Sequence, residues 1–276
     1  MHVLGLPDGP IGKIIQTFKN TVYVRTDDDN LICITTYDVK GPVNINLLND
    51  TDLTKIQPDD LVYKAKGSLK VRGWALPIST RCVYYSKREL GPVNDFRERS
   101  LSAASFLLIM APEGSILDHN SPFFTTFSEN IRQIVAYSRR ADRTGLQNVI
   151  SKLVGLGGGS TPSGDDFLAG FLFCLRQLAS PKGSMSTTFE INNKTSWYSR
   201  KFIEYAQQGF VIQPLEDYTS AILTGNEEIV TASMLDLAGI GHSSGIDSAV
   251  GVLIATTLGK YDKYCNSLLK KLNFCS

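Results

Sequence analysis

The sequence is poor in cysteine and histidine, the residues that build disulfide frameworks and zinc sites. Five cysteines are scattered over 276 residues without a CxxC pair, and the three histidines show no metal-ligand spacing. This pattern argues against both a disulfide framework and a zinc enzyme, and no set of metal ligands is predicted. Unpaired, scattered cysteines are typical of a reducing compartment, so the expected location is the cytoplasm.

The sequence also lacks a dominant charge and a long apolar run. There are 28 basic and 27 acidic side chains, which leaves a net charge of +1 and no general attraction to nucleic acid or acidic lipid. The longest uncharged apolar stretches, residues 101–111 and 249–258, are shorter than the roughly 18 residues that span a bilayer. The first residues also lack the pattern of a signal peptide. We therefore expect neither nucleic acid nor a membrane among the partners.

The spacing of apolar residues changes near Gly91-Pro92. Before this point β-branched and aromatic residues cluster in short runs, and Asp27–Asn30 has the composition of a hairpin turn. After it, apolar residues recur with helical spacing. The sequence predicts an α+β chain, in which a β-rich N-terminal domain (residues 1–92), an antiparallel sheet or small barrel, packs on a predominantly helical domain (residues 93–276). Helices are predicted over residues 98–110, 128–140, 147–154, 196–208, 226–238 and 245–258.

A glycine-rich stretch, Gly155-Leu-Gly-Gly-Gly-Ser-Thr-Pro-Ser-Gly-Asp-Asp166, runs directly into an apolar segment. Glycine allows backbone conformations that other residues avoid and lets a ligand approach the main chain. Ser163 and Asp166 have the spacing of a capping box, which predicts a helix start at Ser163. The stretch is neither a Walker A loop, a Rossmann fingerprint nor an esterase elbow.

A second stretch, residues 239–253, repeats this pattern. Aligned from Ser163 and Ser244, both stretches read Ser-Gly-x-Asp-x-x-x-Gly-x-Leu. Gly170 and Gly251 take equivalent places and would let the two helices approach closely. The two glycine-rich helix starts would then lie side by side.

Two adjacent helix starts present free N–H groups and the positive ends of two helix dipoles, a setting suited to phosphate or carboxylate. Aspartates at the same place oppose this potential, so they would instead hold an amide or amine group of a substrate, or a magnesium ion. Asp165 and His242 are the candidates for polarising the substrate or exchanging protons, although His242 also fits a surface or capping role. Thr195 and Ser199 are expected to cap a helix. The predicted binding residues are Gly157, Gly158, Gly159, Ser160, Thr161, Ser163, Gly164, Asp166, Ser243, Ser244, Gly245 and Asp247.

The two motifs together resemble those of the AllH-type family. The first motif is Gly155 to Gly170, the second is Gly241 to Asp247, and weaker likenesses extend over most of the chain. Ser160 and Ser243 depart from the family pattern, which has an apolar residue and threonine there. The resemblance implies a subunit of oxamate carbamoyltransferase, which works with two other subunits in allantoin degradation. That enzyme converts oxalurate and phosphate into oxamate and carbamoyl phosphate.

The resemblance and the motifs together predict a carbamoyltransferase subunit that binds a small anionic carbamoyl compound, carboxylate or phosphate. This hypothesis requires no cofactor, and it leaves a bound magnesium ion open. Two alternatives stay open. The chain would otherwise be a non-catalytic ligand-binding or assembly subunit, or a magnesium-dependent enzyme built on Asp165, Asp166 and Asp247.

Overall fold

The structure is a computed structural model that describes residues 6–47, 52–77, 84, 93, 95–179, 188–258 and 264–275. The chain divides into two compact units, Met1–Ser86 and Lys87–Ser276. Among the described residues, all strands fall in the first unit and all long helices in the second, so the chain is α+β as predicted. The predicted boundary at residue 92 lies outside the described residues.

The described residues of the first unit form a seven-stranded sheet. Its strands are β1 (Gly9–Thr17), β2 (Thr21–Thr26), β3 (Leu31–Thr35), β4 (Asn44–Asn46), β5 (Leu61–Ala65), β6 (Ser68–Val71) and β7 (Trp74–Pro77). Their spatial order is β4-β3-β2-β1-β5-β6-β7. One sheet face carries the core of this unit, which includes Ile14, Val22, Val24, Ile34 and Val62.

The predicted hairpin turn at Asp27–Asn30 is present. Asp29 has φ 58°, and the backbone N–H of Asn30 donates to Thr26 Oγ1 at 3.0 Å. The expectation of a wholly antiparallel sheet was wrong at one edge, because β4 pairs parallel to β3. A parallel pair needs a connection that returns along the sheet rather than a tight turn, and residues 36–43 provide it.

The second unit is helical. Its helices are α1 (Arg97–Met110), α2 (Phe124–Arg139), α3 (Arg143–Leu153), α4 (Ser163–Leu178), α5 (Trp197–Gln208), α6 (Gln213–Thr224), α7 (Glu227–Ala238), α8 (Ser244–Ala255) and α9 (Cys265–Lys271). The sequence analysis missed α6, although Pro214 in its first turn is a helix-start signal, and it missed the short α9. Among the described helices, none has both the length and the apolar character needed to cross a membrane.

Helices α4 and α8 form the centre of this unit, and the predicted close approach between them is confirmed. A Cβ atom built on Gly170 would lie 2.0 Å from Ser248 O, and one on Gly251 would lie 2.1 Å from Phe167 O. Each contacted carbonyl comes three residues before the glycine of its own helix. The contact is therefore reciprocal, as expected for a pair of helices related by an internal repeat.

Candidate functional site

The turn between α3 and α4 is folded by two backbone hydrogen bonds. The N–H of Leu156 donates to Leu153 O at 3.0 Å, and the N–H of Gly164 donates to Leu156 O at 2.8 Å. A Cβ atom on Gly164 would lie 2.1 Å from Leu153 O, so glycine is required for this packing. Residues 157–161 form a loop between Leu156 and the start of α4. In this loop Gly157 and Gly159 have left-handed φ values of 109° and 90°.

The turn between α7 and α8 repeats this arrangement with a shorter loop. The N–H of Ile240 donates to Leu237 O at 3.0 Å, and the N–H of Gly245 donates to Ile240 O at 3.1 Å. A Cβ atom on Gly245 would lie 1.8 Å from Leu237 O. The repeat in the sequence therefore corresponds to two helix–turn–helix units, α3–α4 and α7–α8, with the same hydrogen bonds.

Side chains join the two turns directly. Thr161 Oγ1 lies 3.2 Å from Ser244 Oγ, and it donates to Asp166 Oδ2 at 3.1 Å. Ser248 Oγ in α8 donates to the backbone carbonyl of Asp166 in α4 at 3.0 Å. The structure thus brings the two predicted helix starts to one place.

The predicted capping box at α4 is wrong. The N-cap of α4 is Pro162, without a side-chain cap, and Ser163 is already the first helical residue. The ring of Pro162 fixes φ at −59°, and Ser163 already lies inside the helix. The Ser163 hydroxyl therefore does not cap α4 and instead donates to Gly114 O at 3.1 Å. Helix α8, with Ser243 as its N-cap, also has no side-chain cap.

These uncapped starts leave backbone donors available. In the described part of the chain, the N–H groups of residues 157–161 and of Ser243 and Ser244 donate to no protein acceptor. Residues 158–160 are exposed. Free N–H groups at the positive ends of two helix dipoles form a setting that can bind an anion.

A third segment, residues 113–116 between α1 and α2, contacts both turns. Gly114 O accepts from Ser163, the Nε2 atom of His242 lies 3.1 Å from Glu113 O, and the N–H of Ile116 donates to Asp247 Oδ1 at 2.7 Å. The sequence analysis missed this segment. Its only signal was a Pro-Glu-Gly-Ser turn, and nothing in such a turn indicates a contact 131 residues away.

Asp247 is completely buried, at 0% exposure. Its Oδ1 atom accepts from Ile116, whereas its Oδ2 atom has no hydrogen-bond partner among the described residues. Burial raises the pKa of Asp247 to about 6, although the Ile116 N–H and the nearby hydroxyls of Ser163 and Ser243 act in the opposite direction. A buried carboxylate oxygen without a donor is an unsatisfied acceptor.

Asp166, the residue that corresponds to Asp247 in the repeat, lies close to it. Burial first, and the charge of Asp247 second, raise the pKa of Asp166 well above its ordinary value, while the hydroxyls of Ser244 and Thr161 lower it. The ionised Asp247 carboxylate therefore disfavours ionisation of Asp166.

Asp165 points to a different set of groups. It is 2% exposed, and it accepts hydrogen bonds from the N–H of Gly155 at 2.8 Å, from Ser199 Oγ at 2.7 Å and from Thr195 Oγ1. Burial raises the pKa of Asp165, and these three donors oppose that effect. The expected capping role of Thr195 and Ser199 was wrong, since Ser196 caps α5 by accepting from the N–H of Ser199.

His242 and Ser160 lie at the exposed edge of the two turns. The carbonyl oxygen of Ser160 accepts from Tyr198 Oη at 3.0 Å, which holds the glycine loop against α5. Among the described side chains, no group of three or more histidine, cysteine, aspartate or glutamate residues is placed to hold a metal ion. A cavity of about 660 Å³ lies at the other end of α4, beside Arg176, Phe189 and Gln207, and is separate from both turns.

Comparison with known proteins gives one family match, over residues 153–256, to the family described as oxamate carbamoyltransferase subunit AllH. No curated protein and no solved structure matches the chain. The matched residues run from the end of α3 to the end of α8 and contain both glycine turns. Over residues 153–256 the chain therefore matches the AllH family, and the resemblance carried by its two motifs is confirmed.

Proposed function

We propose that this chain is a subunit of an oxamate-type carbamoyltransferase and that its two helix starts bind one small anion between them. The observation that carries the proposal is the meeting of two uncapped helix starts, which the hydroxyls of Thr161 and Ser244 join at 3.2 Å. The anion would be a phosphate, a carboxylate or a carbamoyl compound that carries either group. The family description supports the carbamoyl class.

The glycines of the two motifs divide into two groups, according to whether an added Cβ atom would clash with neighbouring backbone. Gly164, Gly170, Gly245 and Gly251 are explained by helix packing alone, since a Cβ atom on any of them would clash with backbone. Packing does not explain Gly158, because a Cβ atom there would meet nothing within 4 Å. This open position in an exposed loop of free N–H groups favours a ligand site over a purely architectural or assembly role.

The backbone donors suit the chemistry of carbamoyl transfer. Transfer of a carbamoyl group to phosphate passes through a species with negative charge on oxygen, and fixed N–H groups stabilise such charge without reorganisation. His242 stands at the exposed edge of the turns, where its imidazole would be placed to exchange protons with a bound ligand. Other subunits would supply the remaining groups, as the word subunit in the family description suggests.

The test is direct binding of oxamate, inorganic phosphate and carbamoyl phosphate, measured by calorimetry on the full chain and on Gly158→Val. We expect wild type to bind at least one of them and Gly158→Val to lose tenfold or more in affinity, because the new side chain fills the approach to the N–H groups. Gly239→Ala is the matched control. Gly239 is exposed, has an ordinary φ of −71°, and its Cβ atom would find only ordinary contacts, the nearest at 3.5 Å.

Undiminished affinity in a folded Gly158→Val variant would contradict the proposed loop contact. Absence of binding of all three compounds to the wild-type chain would contradict the anion site itself. In that case the architectural alternative would account for the same motifs.

A further inference from the structure

We infer that Asp247 is the residue by which this site selects a ligand bearing a primary amide over one bearing a methyl group in the same place. The inference rests on the proposed function, because it assigns one part of the same ligand to one side chain. It begins from the buried Oδ2 atom, which has no donor among the described residues.

The place of this carboxylate is fixed by its neighbours. The Ile116 N–H occupies Oδ1 at 2.7 Å. The hydroxyls of Ser163 and Ser243, which lie at the two helix starts, lie close enough to lower the pKa of Asp247. The charge of Asp247 in turn raises the pKa of Asp166. Asp247 is therefore located between the two helix starts. Its Oδ1 atom is bonded to the Ile116 N–H, and its Oδ2 atom, called uncommitted below, has no donor among the described residues.

An uncommitted carboxylate oxygen accepts hydrogen bonds and donates none while it is ionised. An ionised carboxylate or a fully ionised phosphate group of a ligand cannot satisfy it, since both are acceptors only. An amide N–H can. The free backbone N–H groups of residues 157–161 have the opposite requirement and need an acceptor. A ligand that satisfies both carries an amide next to an anionic group, as oxamate and carbamoyl phosphate do.

Ligand binding must displace a neighbour of Oδ2, since this atom is closed to solvent in the free chain. Ser243 is the candidate for that movement, because it is only half-buried and its hydroxyl lies beside the carboxylate. Ser163 is held by its bond to Gly114 O and would stay in place.

Two pairs of nearly isosteric compounds test the inference. Oxamate and pyruvate differ by an amide NH₂ in place of a methyl group, and carbamoyl phosphate and acetyl phosphate differ in the same way. Leaving a buried acceptor unpaired costs enough to change affinity about tenfold. We therefore expect the full-length wild-type chain, in calorimetric titrations, to bind the amide member of each pair at least about tenfold more tightly.

Asp247→Asn sharpens the test. Its side-chain oxygen is expected to keep the Ile116 N–H, which turns its NH₂ group toward the ligand amide, so two donors would face each other. The preference for oxamate over pyruvate should then fall to about one. Asp236→Asn, an exposed carboxylate on α7, should keep the wild-type preference. The wild-type comparison stands alone if the Asp247→Asn variant fails to fold.

The outcomes separate this inference from the proposed function. Equal affinity of the wild-type chain for both members of each pair would overturn the role of Asp247 and leave the anion site intact. Failure of all four compounds to bind would overturn both. Loss of the amide preference in the presence of EDTA would overturn the inference by showing that a metal ion, rather than an amide, meets Oδ2.

Discussion

Three aspartates near the two helix starts differ in what surrounds their carboxyl groups. Asp165 accepts from three donors and holds Gly155 to the start of α5. Asp247 has one oxygen satisfied and one without a donor among the described residues, and Asp166 accepts from a hydroxyl that also contacts the other turn. Asp165 therefore has the surroundings of a positioning residue, whereas Asp166 and Asp247 face the place where the helix starts meet.

The raised pKa of Asp247 predicts how stability depends on pH. The folded-state pKa is about 6, against about 3.9 for an unfolded aspartate. Well below pH 4 the group is protonated in both states. Between about pH 4 and 6 the unfolded chain releases the proton first, so the free energy of unfolding falls as pH rises. Over the whole pH range, the difference between these two pKa values corresponds to about 3 kcal/mol.

Urea denaturation of wild type and Asp247→Asn at several pH values measures this effect. The stability of wild type relative to the variant should decrease by about 2 kcal/mol from pH 4 to pH 7. Asp236→Asn serves as the control and should show no such trend. A difference that is flat with pH, or that grows as pH rises, would contradict the burial of an ionisable Asp247.

Removal of Asp165 should destabilise the chain more than removal of any one of its donors. Asp165→Ala leaves the Gly155 N–H and two hydroxyls without their acceptor, which should cost about 3 kcal/mol or more. Ser199→Ala removes one donor and should cost about 1 to 2 kcal/mol. Chemical denaturation at pH 7 compares the two. Equal losses would show that Asp165 does not organise this network.

The crossing of α4 and α8 determines where the two helix starts lie. Gly170→Ala and Gly251→Ala each place a methyl group about 2 Å from a backbone carbonyl of the opposite helix, and a backbone carbonyl cannot move aside as a side-chain end can. Each substitution should cost about 3 kcal/mol or more in the free energy of unfolding. The matched change Gly239→Ala, at an exposed position with an ordinary φ, should cost less than about 1 kcal/mol. Equal effects of the three substitutions would contradict the close approach.

At the level of elements, sequence reasoning succeeded where the signal was local or repeated. The Ser-Gly-x-Asp repeat predicted both helices and their close approach at Gly170 and Gly251. Sequence reasoning failed at the helix caps. Pro162 is the N-cap of α4, so Ser163 is the first helical residue and its hydroxyl donates to Gly114 O in another segment. The parallel pairing of β4 was also missed, since strand direction depends on the path of a connection and not on its composition.

The candidate site could be predicted only in part for the same physical reason. The glycines and hydroxyl residues of the two turns recur in the sequence as a repeat, which predicted that the turns lie side by side. The structure brings Thr161 and Ser244 together. The bond between Ile116 and Asp247 had no such pattern, because it joins residues 131 positions apart. The state of the Asp247 carboxylate follows from its burial, from the Ile116 N–H and from the hydroxyls of Ser163 and Ser243, so it required the tertiary structure.

In the whole molecule, each unit has its own hydrophobic core. The core of the sheet comprises residues between Leu6 and Leu76, and the core of the helical unit comprises residues between Phe96 and Phe274. Both glycine turns and the segment at residues 113–116 belong to the helical unit.

This division predicts that a fragment of residues 87–276 folds without the sheet. Its thermal unfolding, followed by circular dichroism, should be cooperative, and it should bind oxamate with an affinity within about threefold of the full chain. A fragment without a cooperative transition would contradict the independence of the helical core. A folded fragment that has lost binding would show that the site needs residues of the first unit.

The claim on which the account depends is that two separate turns hold one ligand. The most direct measurement is a titration of the ¹⁵N-labelled full chain with oxamate, followed through the backbone amide signals of the two helix starts. The account predicts that the signals of Gly157–Thr161 and those of Ser243 and Ser244 shift together and give one dissociation constant. Shifts confined to one turn, or two unrelated constants, would contradict it.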